Sequence, residues 1–111
     1  MKGWLWIKIE RRVLEALKGL DQGNVEEVRG LLVSAEATLV ELAKHPLSLE
    51  EAEELARLGR KIPQVLETLD RGEIEEARAL LVNLASDLRV VVDHALLSEE
   101  VEEEEGEGEV N

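Results

Sequence analysis

A tandem repeat covers most of this sequence and limits the folds that are open to it. The segment LDQGNVEEVRGLLV at residues 20–33 recurs as LDRGEIEEARALLV at residues 69–82. With the same offset of 49 residues, residues 8–48 align with residues 57–97 without a gap, and 14 of the 41 aligned positions are identical. Each copy contains a helix end, a turn with glycine and a helix start. The sequence therefore predicts a helical hairpin that has been duplicated in tandem.

Apolar residues recur every three or four positions along four segments, a spacing that is typical of amphipathic helices. The predicted helices cover about residues 3–20, 25–45, 49–69 and 74–97. Because short turns between long helices make neighbours antiparallel, the simplest closed arrangement is an all-α, antiparallel four-helix bundle built from the two duplicated hairpins. We expect this single domain to span residues 1–98, with repeats at about 8–48 and 57–97.

Local signals predict where individual helices start and bend. Asn24 with Glu27, and Ser48 with Glu51, have the spacing of capping boxes at the starts of helices 2 and 3. Pro63 lies inside predicted helix 3 and predicts a kink near residues 59–63. The core-facing positions predicted for helix 3 are Ala52, Leu55, Gly59, Ile62, Leu66 and Leu69.

Composition excludes several classes of protein. The absence of cysteine excludes a disulfide framework, a zinc–thiolate site and a cysteine nucleophile. No apolar run approaches the roughly 18–20 residues that span a bilayer, and the run near the N-terminus is too short for a signal sequence. These features predict a soluble, cytoplasmic protein with no membrane contact. The scarcity of Met, Cys, Asn and Gln beside abundant Glu, Arg and Leu is typical of heat-adapted proteins.

The negative charge is concentrated at the C-terminus. The net charge is −13, from 26 acidic and 13 basic residues, and residues 99–111 hold 8 of the acidic ones. The remainder therefore carries 18 acidic against 13 basic residues, a net charge of −5. We predict a solvated Glu/Gly tail at residues 99–111. The overall charge argues against binding to the phosphate backbone of nucleic acids.

The two repeats serve as an internal control, because equivalent positions of duplicated hairpins are expected to be buried alike. Three apolar residues align with glutamates of the other copy: Trp4 with Glu53, Leu5 with Glu54 and Val90 with Glu41. The chain has more apolar residues than a single core needs, which suggests a second apolar contact surface. Trp is also enriched at protein interfaces. We therefore predict a self-association interface at the start of helix 1 and on helix 4, formed by Trp4, Leu5, Trp6 and Val90. The alternative is that Trp4 folds back over the end of the bundle.

Basic residues form two matched sets at equivalent positions of the repeats. They are Lys8, Arg11 and Arg12 in the first copy, and Arg57, Arg60 and Lys61 in the second. Their spacing puts each set on one helical face, where it could hold phosphates. A basic helical face more often pairs with an acidic neighbour, and no aromatic platform of the kind that binds nucleic acid is interleaved with these charges.

The histidines offer a weak metal pattern and a possible catalytic one. His45 and His94 are equivalent, but Glu41 precedes His45 with a spacing that differs from the Glu-x-x-His of bundle di-iron sites, so we predict no metal and no cofactor. Arg89 and His94 are separated by four residues on the last long helix. In this respect the chain resembles the HEPN superfamily of all-α proteins. That resemblance implies a dimeric, metal-independent ribonuclease with Arg89 and His94 as catalytic residues. The chain lacks the tyrosine that is common near the family's histidine.

The absence of other catalytic motifs favours a non-enzymatic protein. No phosphate loop, nucleophile elbow, Rossmann glycine set or EF-hand loop occurs in the sequence. Our leading hypothesis is a helical protein–protein interaction or assembly module that forms a homodimer or larger oligomer, with another protein as a further possible partner. The alternatives are the HEPN-like ribonuclease and an acidic mimic of nucleic acid.

Overall fold

The protein is an all-helical bundle. A computed structural model describes the backbone of residues 2–110 and the side chains of residues 2–97. The helices are α1 (Lys2–Asp21), α2 (Val25–Leu42), α3 (Leu49–Asp70) and α4 (Ile74–Val110). The described backbone contains no strand. The predicted all-α, four-helix fold is confirmed.

Contacts between the helices close a ring. Each helix packs against the next one along the chain, and α4 packs against α1, so that α1 and α3 occupy opposite corners. Arg78 of α4 lies 3.2 Å from Asp21 of α1, and Arg89 of α4 lies 3.3 Å from Glu10 of α1. The helices α1 and α4 therefore run in opposite directions, as expected for antiparallel neighbours.

Both repeats end their first helix in the same way. Gly23 and Gly72 have φ angles of 79° and 75°, in the left-handed region that glycine adopts without steric cost. After α1, the Asn24 N–H donates to the carbonyl of Gly19 at 2.9 Å and the Gly23 N–H donates to the carbonyl of Leu20 at 3.1 Å. The same two bonds recur one repeat later, after α3. This is the Schellman pattern, so both predicted glycine turns are confirmed.

Only one of the two predicted capping boxes forms. The Ser48 side chain accepts a hydrogen bond from the Glu51 N–H, and the Glu51 side chain accepts one from the Ser48 N–H. At the start of α2 the prediction is wrong, because the Asn24 side chain makes no capping bond and instead lies 3.4 Å from the Glu27 carboxylate. Asn24 takes part in the preceding glycine turn, and this constrains its backbone away from the extended geometry that a capping residue adopts.

The core is a continuous apolar cluster drawn from all four helices. Its fully buried large side chains are Trp6, Ile9, Leu32, Leu42, Leu58, Ile62, Leu81, Leu84, Leu88, Val13, Val28 and Val65. No helix in the described part of the chain combines the length and the apolar character needed to cross a membrane.

The predicted core face of α3 is partly wrong. Ala52 and Gly59 are exposed, whereas Glu51 and Glu54 are buried beside Leu58. The prediction from the sequence excludes glutamates from the core, because burying an unpaired charge lowers the stability of the fold. The tertiary structure gives Glu51 partners on α1, Lys2 and Trp6, whereas the cation beside Glu54 is Arg57 of α3 itself. The buried face of α3 therefore differs from the apolar pattern.

Two predictions about the ends and bends of helices stay open. The helix α3 runs without interruption from Leu49 to Asp70 with Pro63 inside it, and the kink near residues 59–63 remains a prediction. The backbone of α4 continues to Val110. Solvation of the acidic tail at residues 99–111 is a prediction about side chains that lie outside the described ones.

Two glycine substitutions should have opposite effects on stability. We expect Gly72→Ala to lower the free energy of unfolding by about 1 kcal/mol, because the left-handed conformation is unfavourable for a residue with a Cβ. Gly59→Ala should raise it by about 0.5–1 kcal/mol, since an added Cβ in the middle of α3 meets no neighbouring atom. Urea denaturation followed by tryptophan fluorescence measures both. A loss of stability in Gly59→Ala would contradict the assignment of residue 59 to an exposed helix interior.

Candidate functional site

The residues predicted as an interface separate into two pairs. Leu5 and Trp6 are only 6% and 0% exposed and belong to the core, so the prediction that they form a surface is wrong. Trp4 and Val90 are 56% and 70% exposed. Leu5 and Trp6 lie on the inward face of α1 at the end of the bundle, where they extend the apolar seam that begins at Ile9. The candidate surface is therefore narrowed to Trp4 and Val90.

Trp4 projects from the outer face of α1 beside a cation. The Arg11 guanidinium carbon lies 5.9 Å from the centre of the Trp4 ring, within the range of a cation–π interaction. With more than half of its surface exposed, Trp4 does not fold back over the end of the bundle. We call these two side chains the Trp4–Arg11 pair. It presents an aromatic surface and a positive charge together.

A buried hydrogen-bonded cluster joins the starts of α1 and α3. The Trp6 Nε1–H donates to Glu51 Oε2 at 2.9 Å, and Lys2 Nζ donates to Glu51 Oε1 at 2.9 Å. The Ser48 backbone N–H also donates to Glu51 Oε1, at 3.1 Å. Burial raises the pKa of Glu51, but the bonds from Lys2, Ser48 and Trp6 together outweigh burial, so the net effect is a lowered pKa.

A groove lies between the first half of α3 and the middle of α4. Its volume is about 340 Å³. It is lined by Glu50, Glu51, Glu53, Glu54 and Arg57 of α3 and by Val90, Val91 and His94 of α4. We call it the α3–α4 groove. It combines an acidic wall with an apolar wall, and the exposed Val90 of the candidate surface is part of it.

Glu54 is the most unusual residue of the groove. It is only 5% exposed, and its Oε1 atom has no hydrogen-bond partner among the described residues. Its Oε2 atom lies 3.4 Å from Arg57 Nη1, which also lies 3.1 Å from Asp87 Oδ2. Burial raises the pKa of Glu54; Arg57 opposes the rise and Asp87 adds to it. Glu54 is thus a buried acid with incomplete compensation for its charge.

The structure does not bring Arg89 and His94 to a common site. Arg89 lies 3.3 Å from Glu10 of α1 and 2.8 Å from Asp93 of its own helix. His94 Nε2 lies 3.0 Å from Glu50 Oε2 of α3. The two side chains are therefore directed to different neighbouring helices. Within one chain, they are not arranged to hold a phosphate and move a proton at the same atom.

The basic residues that could bind phosphate also have other partners or lie apart. Arg12 donates to Ser34 Oγ at 3.1 Å, Arg11 stacks on Trp4 and Arg57 pairs with Asp87. Lys8 and Lys61 are half-buried, and Arg60 is exposed. Because α1 and α3 occupy opposite corners, the two basic sets do not form one continuous surface.

Metal ligands do not cluster in the described side chains. Among residues 2–97, no group of three or more His, Cys, Asp or Glu side chains has an arrangement that could hold a metal ion. His94 faces Glu50, and the equivalent His45 is half-buried near the end of α2. The duplicated histidines therefore lie in different surroundings.

Comparisons with known proteins do not add a relative. No family model, no curated protein and no solved structure matches the chain.

Glu54 is a site residue that the sequence pattern does not indicate. Leu5 and Glu54 are equivalent in the repeat, and a glutamate at this position predicts that Leu5 faces water. The structure buries both residues, at 6% and 5% exposure. The pattern that indicates Glu54 is a carboxylate at a position where the other copy has a core leucine.

Replacing Glu51 should reveal the sign of its pKa shift. A lowered pKa means that the ionised carboxylate stabilises the fold above its ordinary pKa, and that this contribution is lost as the pH falls through the folded-state pKa. We expect Glu51→Gln to lower the free energy of unfolding at pH 7 by about 1–2 kcal/mol, and the difference from wild type to shrink in acid. Urea denaturation at a series of pH values measures this.

The control for that experiment is Glu53→Gln, an exposed position of the same helix. It should change stability by no more than about 0.5 kcal/mol at any pH. If Glu51→Gln were as stable as wild type at pH 7, the Glu51 cluster would not contribute to the fold as described.

Proposed function

We propose that this protein is a non-enzymatic helical assembly module that self-associates through a surface containing Trp4 and Val90. The observation that carries the proposal is the exposure of these two side chains, 56% and 70%, on two helices that pack against each other. Exposed aromatic and apolar side chains that the core does not use are typical of contact surfaces.

The internal repeat supports this interpretation. Trp4 and Val90 are equivalent to Glu53 and Glu41, and all four positions are exposed. The fold therefore does not need an apolar residue at either position. Burying a large apolar side chain contributes about 1.5–3 kcal/mol, and a two-fold interface counts each side chain twice. The four side chains together would contribute about 6–12 kcal/mol, which is of the same order as the entropic cost of association, about 4–15 kcal/mol, so neighbouring side chains of the interface must contribute as well.

The partner that we propose is another copy of this chain, and a further protein partner is compatible with the same surface. The cytoplasmic location and the heat-adapted character that the composition favours are also proposals. Neither is needed for the argument from Trp4 and Val90.

Substitutions taken from the other repeat should disrupt association without harming the fold. We expect Trp4→Glu and Val90→Glu to shift the molar mass toward that of the monomer at micromolar concentration, because each places a charge in an apolar contact. Light scattering coupled to size-exclusion chromatography measures the mass, and circular dichroism measures the helix content. The matched control is Val40→Glu, a valine with 64% exposure on α2. A wild-type protein that is strictly monomeric at these concentrations would refute the proposal.

A ribonuclease that uses Arg89 and His94 is the alternative from another functional class. Both side chains are partly exposed, but their ion pairs direct them to different helices. A dimer could bring Arg89 of one chain to His94 of the other. His94→Ala should abolish cleavage of single-stranded RNA if this alternative holds, whereas an assembly module should keep its mass and have no activity to lose.

An acidic mimic of nucleic acid is the remaining alternative. It requires an array of carboxylates on the folded surface, and the start of α3 provides a short one at Glu50 and Glu53. Most of the excess negative charge lies instead at residues 99–111. The charge distribution therefore favours an assembly module over a mimic.

A further inference from the structure

We propose that the acidic C-terminal segment of one chain, residues 99–111, docks on the outer surface of α1 of a second copy of this chain. The receiving surface carries Trp4, Lys8, Arg11 and Arg12, and we call it the basic α1 face. In a two-fold dimer, the negative charge of each tail would neutralise the cations of the partner's face. This inference rests on the proposed self-association and names the segment that covers Trp4.

The cations of the basic α1 face have no carboxylate partner among the described side chains. Six of the chain's 13 basic residues form ion pairs within that part of the chain, but Lys8, Arg11 and Arg12 are not among them. Arg11 lies over the Trp4 ring, and Arg12 donates to the neutral Ser34. A chain with a net charge of −13 therefore keeps a group of unpaired cations around an exposed aromatic ring.

The carboxylates of α1 itself do not offset this charge. Glu10 and Asp21 pair with arginines of α4. The remaining carboxylate of the helix, Glu15, is exposed and makes no ion pair with another described side chain. Because Glu10 contacts α4 while Arg12 contacts α2, the basic α1 face is turned away from α4 of its own chain.

The tail is the segment of the chain that carries the opposite charge. Residues 99–111 hold eight glutamates and no basic residue. Complementary potentials of this kind steer association and fix its register. The equivalent surface of α3 is a weaker receptor, because its Arg57 is already paired with Asp87 and Glu53 stands at the position of Trp4. The charge distribution therefore favours α1 over α3.

The helix that leads into the tail is too long to end on its own bundle. α4 has 37 residues and α1 has 20, which correspond to about 55 Å and about 30 Å of helix. Arg89 lies beside Glu10, so α4 passes the start of α1 about eight residues after Arg89. The remaining turns of α4 extend beyond that end of the bundle, and the longest dimension of the protein is 58 Å. The tail thus leads away from the α1 of its own chain.

A two-fold axis at that end of the bundle brings each tail to the partner's α1. When the axis is perpendicular to the helices, the partner's bundle lies in the direction in which α4 points, and its α1 begins beside the start of the tail. A sideways offset of about 8–10 Å between the bundles gives the two helices an ordinary packing distance. Residues 99–110 add about 18 Å of helix, which spans the first dozen or so residues of the partner's α1, including Trp4 and Arg11. The contact forms twice, as a closed dimer requires.

Neutralising the tail in the full chain tests the inference through the sign of the effect. Two chains of net charge −13 repel each other, so removing negative charge should strengthen association through any surface that the tail does not touch. Exchange of the four glutamates at residues 102–105 for glutamine should instead weaken dimerisation by about tenfold, because weak exposed ion pairs are lost in both copies of the contact. Sedimentation velocity over a concentration series gives the dissociation constants.

Arg11→Glu and Arg60→Glu are a matched pair of variants. The two arginines are equivalent in the repeat, both are exposed, and each exchange alters the net charge equally. Arg11→Glu should weaken dimerisation by about tenfold, whereas Arg60→Glu should change it by no more than about twofold. In the chain with the neutralised tail, the effect of Arg11→Glu should shrink, because both changes remove the same contact. Circular dichroism checks that each variant keeps its helix content.

Trp4 provides a second measurement that reports on the receiving surface directly. The other tryptophan, Trp6, is fully buried, so quenching of fluorescence by uncharged acrylamide reports mainly on Trp4. Quenching should fall as the protein concentration rises through the dissociation constant. In the chain with the neutralised tail, this fall should move to a concentration about tenfold higher.

The outcomes separate this inference from the proposed function. If Trp4→Glu dissociates the protein while the neutralised tail leaves dimerisation unchanged or stronger, the chain self-associates but the tail does not cover Trp4. Equal weakening by Arg11→Glu and Arg60→Glu would show an effect of net charge alone and would overturn the assignment to α1. If Arg11→Glu abolishes binding of a single-stranded RNA and leaves dimerisation intact, the basic α1 face holds a phosphate backbone and the inference is wrong. A monomeric wild-type protein would overturn both proposals.

Discussion

The buried hydrogen bond between Trp6 and Glu51 ties the start of α1 to the start of α3 across the bundle. An indole N–H in an apolar core must find an acceptor, or it costs about 1–3 kcal/mol. Glu51 provides that acceptor from the opposite corner of the ring, and the same carboxylate binds Lys2 and caps α3. One side chain thus fixes how the first hairpin meets the second. The apolar seams provide most of the burial, but this bond selects their relative position at one end of the bundle.

Duplication gave the two hairpins the same architecture and different chemistry. Both keep the glycine turn, with Gly23 and Gly72 in the left-handed conformation. They differ at the end of the bundle near the start of their first helices, where Leu5 in one copy corresponds to Glu54 in the other. Leu5 fills its position with apolar atoms, whereas Glu54 places a carboxylate there and lines the α3–α4 groove. The two copies therefore differ in polarity at one buried position.

Charged side chains on the outside of the bundle illustrate how tertiary neighbours change the meaning of a motif. Arg89 and His94 have the spacing of a catalytic pair, yet their carboxylate partners, Glu10 and Glu50, belong to different helices. Exposed ion pairs of this kind contribute little to stability. They do determine the preferred orientation of a flexible side chain. A spacing along one helix cannot predict such partners, because they come from elements that are remote in sequence.

The helices, the two glycine turns and the four-helix architecture could be predicted from the sequence, because periodicity and turn chemistry are local properties. The sequence also predicted that Trp4 and Val90 are exposed, since the equivalent positions are glutamates. The burial of Leu5, Glu51 and Glu54 follows only from the folded bundle. The burial of Glu51 depends on partners from another helix, the indole of Trp6 and the ammonium group of Lys2, whereas Glu54 has only Arg57 of its own helix beside it. The energy of a buried polar group is set by its neighbours, and those of Glu51 come from α1, which is remote in sequence.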